Sequence, residues 1–195
     1  MNTKSIPNDI FVGNILGALT RAVSDKIDNS VTSATGLSTS ACFAIVQIGT
    51  EPGSSIEELR RMLDLEHSSV VRLIDRLESA GHVVRSKDER RDRRLVRINL
   101  TDSGERQFSK ILDARAAVLA RALNMLDDTE KPVLRSLIAK LMPAVVEAGD
   151  DQHIVCRLCD LEACPQCDCP VNLSHVGYEE FPESDFRRKQ DSRFA

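Results

Sequence analysis

Apolar residues recur with helical spacing through most of this chain and with strand spacing in one short stretch near its middle. Phe11, Val12, Ile15, Leu16, Leu19 and Val23 stand three, four and seven apart, the stripe of a helix that buries one face. A polar stretch rich in Ser, Thr and Gly, from Asn29 to Thr39, is expected to interrupt it. Ala41 to Ile48 is an apolar run that reads as a short buried helix, ended by Gly49 and by Pro52-Gly53. Ser54 and Ser55, each with a glutamate three residues on, offer two overlapping capping boxes for a helix over Ile56 to Leu63. After a turn at Asp64, Leu65 and Glu66, Val70, Leu73, Ile74 and Leu77 mark a helix from about His67 to Ala80, with Gly81 placed to stop it. Val83-Val84-Arg85 and Val96 to Leu100 have strand character, the second alternating apolar and polar residues.

Helical spacing resumes at Asp102. Phe108, Ile111, Leu112, Val118, Leu119, Ala122 and Leu126 form one stripe, on which Arg115 is the charged intruder. Asp127, Asp128 and Thr129 are candidate caps for a further helix, which tolerates Pro132 in its first turn. Leu134, Leu137, Ile138, Leu141 and Val145 carry its face towards Gly149, with a kink expected at Pro143. The composition then turns cysteine-rich, and from Tyr178 to Ala195 it is polar and reads as a disordered tail.

The 195 residues, 42% hydrophobic and 29% charged, suffice for one core with an appendage. No apolar run approaches the roughly 20 residues of a membrane-spanning helix, and Met1 to Asp9 lacks the pattern of a secretion signal. The expectation is a soluble cytoplasmic protein with no membrane partner. The net charge of −4 does not favour nucleic acid, but its distribution does. Between Arg85 and Arg97 seven basic residues face three acidic ones, a local excess of positive charge on an acidic chain.

Two short helices joined by a three-residue turn, then a hairpin with a charged tip, is the order of a winged helix-turn-helix. With Val70, Leu73, Ile74 and Leu77 turned to the core, Ser68, Ser69, Arg72 and Arg76 project outward, with Val71 at the margin. Arginine can grip guanine or phosphate, serine can bond to either, and a valine methyl can pack on thymine. The plain alternatives are a solvated helix face and a hairpin tip kept soluble by mixed charge.

Asp92-Arg93-Arg94-Leu95-Val96-Arg97-Ile98-Asn99-Leu100-Thr101-Asp102-Ser103-Gly104 resembles the wing signature of the MarR family of bacterial transcriptional regulators, D-x-R-x5-L-T-x2-G. The resemblance covers roughly Asp9 to Ala148. It implies a mainly α fold: a winged helix-turn-helix with a two-stranded β wing, plus N- and C-terminal dimerisation helices. The MarR-like domain is expected over 1–150, with 9–28 and 105–148 dimerising and 38–104 forming the winged unit. By the same resemblance Arg94 enters the minor groove, Asp92 orients the wing or a neighbouring arginine, and Ser68, Ser69, Val71, Arg72 and Arg76 lie on the recognition helix. Arg90 and Arg91 complete the basic tip. The resemblance also implies a homodimer, in many cases a repressor, released from DNA by a small-molecule inducer bound between the dimer helices and the winged lobe.

The unshared apolar stripes at the two ends of the chain favour a dimer independently, the alternative being that they pack on their own lobe. Its operator would be a near-palindrome in double-stranded DNA, with half-sites about one helical turn (~34–36 Å) apart. A redox role for Cys42, as in peroxide-sensing relatives, competes with its reading as an inert buried residue.

Five of the six cysteines, Cys156, Cys159, Cys164, Cys167 and Cys169, fall within 14 residues. Their spacing, C-x2-C-x4-C-x2-C-x-C-P, supplies two thiolate pairs, enough for a tetrahedral zinc site in a metal-binding segment over 151–175. The Cys169-Pro170 ending partly resembles the cluster-binding run of bacterial ferredoxins, C-x2-C-x2-C-x3-C-P, from which the spacing departs, so zinc and an iron–sulfur cluster both stay open. Four thiols serve either centre: Cys156, Cys159 and Cys164 with Cys167 or Cys169. The segment either senses metal or redox state through the last dimer helix or is a closed structural knuckle; a disulfide-switching tail is a third reading. The alternative class is a metalloenzyme or electron-transfer protein working through these cysteines. Against an enzyme, the sequence holds no nucleophile elbow, phosphate-binding glycine loop or paired carboxylates in an apolar setting.

Overall fold

The computed structural model describes residues 8–87, 96–146, 152–161 and 169–171. In chain order the elements are α1 (Asn8–Thr35), α2 (Thr39–Thr50), α3 (Ile56–Leu63), α4 (His67–Ser79), β1 (Val83–Lys87), β2 (Val96–Leu100), α5 (Asp102–Leu123), α6 (Glu130–Leu141) and α7 (Gln152–Val155). The architecture is mainly helical, with one antiparallel hairpin in which Val83 pairs with Leu100 and Lys87 with Val96.

The polar stretch after Asn29 does not interrupt α1. Its threonines turn back on the helix, Thr32 Oγ1 donating to the Asp28 carbonyl at 2.8 Å and Thr35 Oγ1 to that of Val31 at 2.7 Å. Such bonds satisfy hydroxyls that otherwise compete with helix. The helix ends where Gly36 adopts φ +72°, and Ser38 caps α2 by accepting from the Ala41 amide.

The two overlapping capping boxes resolve in favour of the second. Ser55 Oγ accepts from the Glu58 amide, and a Glu58 carboxylate oxygen accepts from the Ser55 amide at 2.6 Å. Ser54 is buried instead, and its carbonyl accepts from the Ile98 amide at 2.9 Å, so the residues before α3 form a bridge along β2. Asp64 turns left-handed (φ 50°) and sets the sharp corner into α4.

The core lies where α2, α3, α4, β2 and the first half of α5 converge, filled by Ile45, Ile48, Leu59, Ile74, Ile98 and Ile111 with no exposed surface. Gly49 is one of its joints, since a Cβ there would run into the Phe108 ring. Gly104 is another: a Cβ would strike the carbonyl oxygen of His82 at the root of the hairpin. α1 packs along α5, with the burial confined to the C-terminal part of α1. Ile10, Phe11, Val12, Ile15, Leu16 and Leu19 are exposed, and α6 buries no residue. Asp127 caps α6 from outside its first turn, accepting from the Thr129 and Glu130 amides, and a 3-10 turn at Met142–Ala144 ends it in place of a kink at Pro143. Among the described residues no single helix is long and apolar enough to cross a membrane.

Candidate nucleic-acid interface

α4 is a two-faced helix. Val70, Leu73, Ile74 and Leu77 are buried, whereas Ser68, Ser69, Arg72 and Arg76 are exposed and Val71 is half-buried at the margin. The period of 3.6 produces this division, and the capped α3 with the left-handed corner at Asp64 holds it at a fixed angle to the core. A row of exposed serine and arginine backed by an apolar stripe can lie in a major groove.

The wing behind α4 spends part of its charge on itself. Arg85 Nη2 donates to Asp75 Oδ1 at 2.6 Å and Arg85 Nη1 to Glu78, so β1 is tied to the last turns of α4. Arg97 Nη1 donates to the Gly53 carbonyl at 3.1 Å and lies 3.6 Å from Glu58, tying β2 to the start of α3. Two of the seven basic residues that mark this window in the sequence therefore brace the hairpin base, a role their charge alone does not reveal. Lys87 is exposed. Arg90, Arg91, Asp92 and Arg94 lie outside the described residues.

The cysteine segment packs in a place that its position in the sequence does not suggest. It follows α6 in sequence, but α7 lies against α3, and Leu158 enters the main hydrophobic core. The Arg157 guanidinium sits 4.6 Å from the centre of the Phe43 ring of α2, and His153 Nδ1 lies 3.6 Å from a carboxylate oxygen of Glu51 at the end of α2. Arg115, the charged intruder on the stripe of α5, donates from Nη2 to Cys159 Sγ at 3.8 Å. The Cys159 amide donates to the Cys156 carbonyl at 2.7 Å, closing the tight turn expected of a C-x2-C pair.

A hydrogen bond from Cys156, together with the positive charge of Arg115, pulls the Cys159 thiol down to about 6, against the opposing effects of burial and the Asp160 carboxylate. Cys42 is the reverse case: fully buried in α2, its thiol is pushed up by desolvation. That environment suits the inert reading of Cys42. Cys156, Cys159 and Cys169 are partly exposed and form no disulfide, while Cys164 and Cys167 lie outside the described residues. Among the described residues no three side chains of His, Cys, Asp or Glu converge as a metal site.

The fold and the α4 face define a DNA-binding protein of the winged helix-turn-helix class. The sequence pattern of the MarR family matches residues 35–95. The transcriptional repressor MdtR of Bacillus subtilis is 28% identical over 119 residues, covering 61% of this chain and 76% of the relative. The repressor MprA of Escherichia coli is 25% identical over 125 residues, or 63% and 70% of the two chains. Among solved structures, the YusO protein of Bacillus subtilis superposes with a TM-score of 0.62 at 25% identity, covering 72% of this chain and all of that one. FabT of Streptococcus pneumoniae, solved in complex with DNA, shares the fold with a TM-score of 0.57 at 20% identity, over 67% and 94% of the chains.

Proposed function

We propose that the chain is a homodimeric, sequence-specific repressor, each subunit laying α4 in a major groove of a near-palindromic operator and its wing beside the minor groove. The observation that carries this reading is the division of α4, with Ser68, Ser69, Arg72 and Arg76 outward over a fully packed apolar face. The repressors MdtR and MprA, and FabT with its DNA, support it. Arg94, with Arg90, Arg91 and Asp92, supplies the wing contact.

Dimerisation is favoured by apolar surface that the subunit leaves uncovered. Ile15 is 52% exposed in α1 and Leu137 is 52% exposed in α6, each among further exposed apolar neighbours. Two helices with such faces at opposite ends of one chain are suited to interlock with a second copy, covering a patch a monomer seldom exposes.

Selection of duplexes from a random pool, followed by titration at several salt concentrations, tests the reading. Log affinity is expected to fall linearly with log salt as phosphate contacts release counterions. Arg94→Ala should weaken binding across sequences and reduce that slope by about one, whereas Arg72→Ala should cost about 1–3 kcal/mol and relax preference at one base position. A chain without salt-dependent duplex binding would overturn the reading in favour of a protein working through its cysteines.

The cysteine segment, in the same proposal, holds one zinc ion or one iron–sulfur cluster on Cys156, Cys159, Cys164 and either Cys167 or Cys169. The tight Cys156–Cys159 turn and the readily ionised Cys159 support a thiolate site. Metal analysis and an absorption spectrum of anaerobically purified protein distinguish the two: broad absorbance near ~400 nm with iron for a cluster, a colourless zinc protein for the other. A metal-free chain would overturn the site.

A further inference from the structure

We propose that residues 153–159 are a strap the chain docks on its own DNA-binding lobe, holding α3 and α2 at a fixed orientation to α5. The strap reaches three elements at once. α7 lies on α3, His153 meets Glu51 at the C-terminal end of α2 and Arg157 meets Phe43 within it, and Cys159 receives the guanidinium of Arg115 from α5. Leu158, 9% exposed, is the apolar anchor between them.

The composition of the strap distinguishes it from ordinary core. Leu158 enters the core, and beside it stand a cation–π pair, a histidine beside a carboxylate and a charge-assisted thiol bond, each partly exposed and individually weak. Such a segment can leave without the core collapsing, because Ile45, Ile74, Ile98 and their neighbours stay packed. Its contacts join the elements that carry the recognition helix and the wing. α3 leads through the corner at Asp64 into α4, and α5 is continuous with the root of the wing through Thr101 and Gly104. A docked strap therefore removes freedom of the lobe relative to α5 that DNA binding must otherwise remove, and favours the bound state. Any group that engages Cys156 or Cys159 acts on residues beside the anchor and biases docking, and by linkage docking biases its affinity.

The consequence for DNA rests on the proposed repressor function; the docking does not. The test compares the full-length chain with Leu158→Asp at matched metal content, reading amide hydrogen exchange in α2 and α3 and affinity for the selected duplex. Exchange in α3 is expected to quicken at least about fivefold and the duplex to bind roughly 5–50-fold more weakly, the helical circular dichroism being retained. Unchanged exchange would overturn the strap, and faster exchange with affinity unchanged within about twofold would overturn its control of DNA binding. If Leu158→Asp does not fold, Arg157→Ala and Arg115→Ala remove only partly exposed contacts, and α3 protection unaltered in both rejects the docking. A parent chain that binds no duplex would refute the repressor reading and the control with it, while exchange still decides whether the strap docks.

Discussion

Arg115 interrupts the apolar stripe of α5, and its guanidinium is directed at Cys159. A cation on an otherwise apolar stripe needs a partner, and, after the hydrogen bond with Cys156, this one helps to make Cys159 acidic for a thiol. In metal-free, reduced protein, alkylation of Cys159 should follow a midpoint near pH 6, and Arg115→Ala should move that midpoint upward; mass mapping of labelled peptides across pH checks both. The sign for stability follows. A thiol lowered on folding stabilises fully above its ordinary value near 9, progressively less towards 6, and not at all below that. Cys42 should resist labelling until the fold opens. Gly104 is constrained by close approach: Gly104→Ala drives a methyl into the His82 carbonyl and should cost about 1–3 kcal/mol in denaturant unfolding.

Short elements with strong end signals were legible from the chain, and the long helix was not. α3, α4 and the hairpin fall where caps, glycines and periodicity place them, because each is specified by bonds within a few residues. Ser55→Ala should accordingly cost about 1 kcal/mol by removing the cap of α3, read as a lower denaturant midpoint. The continuation of α1 through the Ser/Thr stretch was missed because threonine resists helix only until its hydroxyl finds a carbonyl one turn back and Val31 is buried against the core. The bracing of the wing base leaves no mark in the sequence for another reason. Arg85 and Arg97 count as positive charge in the sequence, yet their carboxylate partners lie in α4 and α3, brought near only by packing. Arg85→Ala should weaken DNA binding by exposing Asp75 and Glu78 next to the groove-facing row, and adding Asp75→Asn with Glu78→Gln should restore much of it.

The chain is uneven in how well it covers itself. Around α2 to β2 the core is closed, whereas among the described residues the first half of α1 and much of α6 present exposed apolar side chains. Sedimentation should give twice the 21.6 kDa chain mass, and Ile15→Lys with Leu137→Lys should reduce it towards one chain. A species that stays monomeric before substitution would remove the proposed two-fold operator geometry. The periodicity of apolar residues, the caps and the wing motif specified a winged helix-turn-helix and the outward row on α4, since those depend on local bonds and on which face is apolar. The destination of the cysteine segment, the partner of Arg115 and the bracing roles of Arg85 and Arg97 depend on contacts between different elements, from 7 to 44 positions apart. Such contacts leave no periodic trace in the chain, and they exist once α2, α3 and α5 have closed the core against which Leu158 is laid.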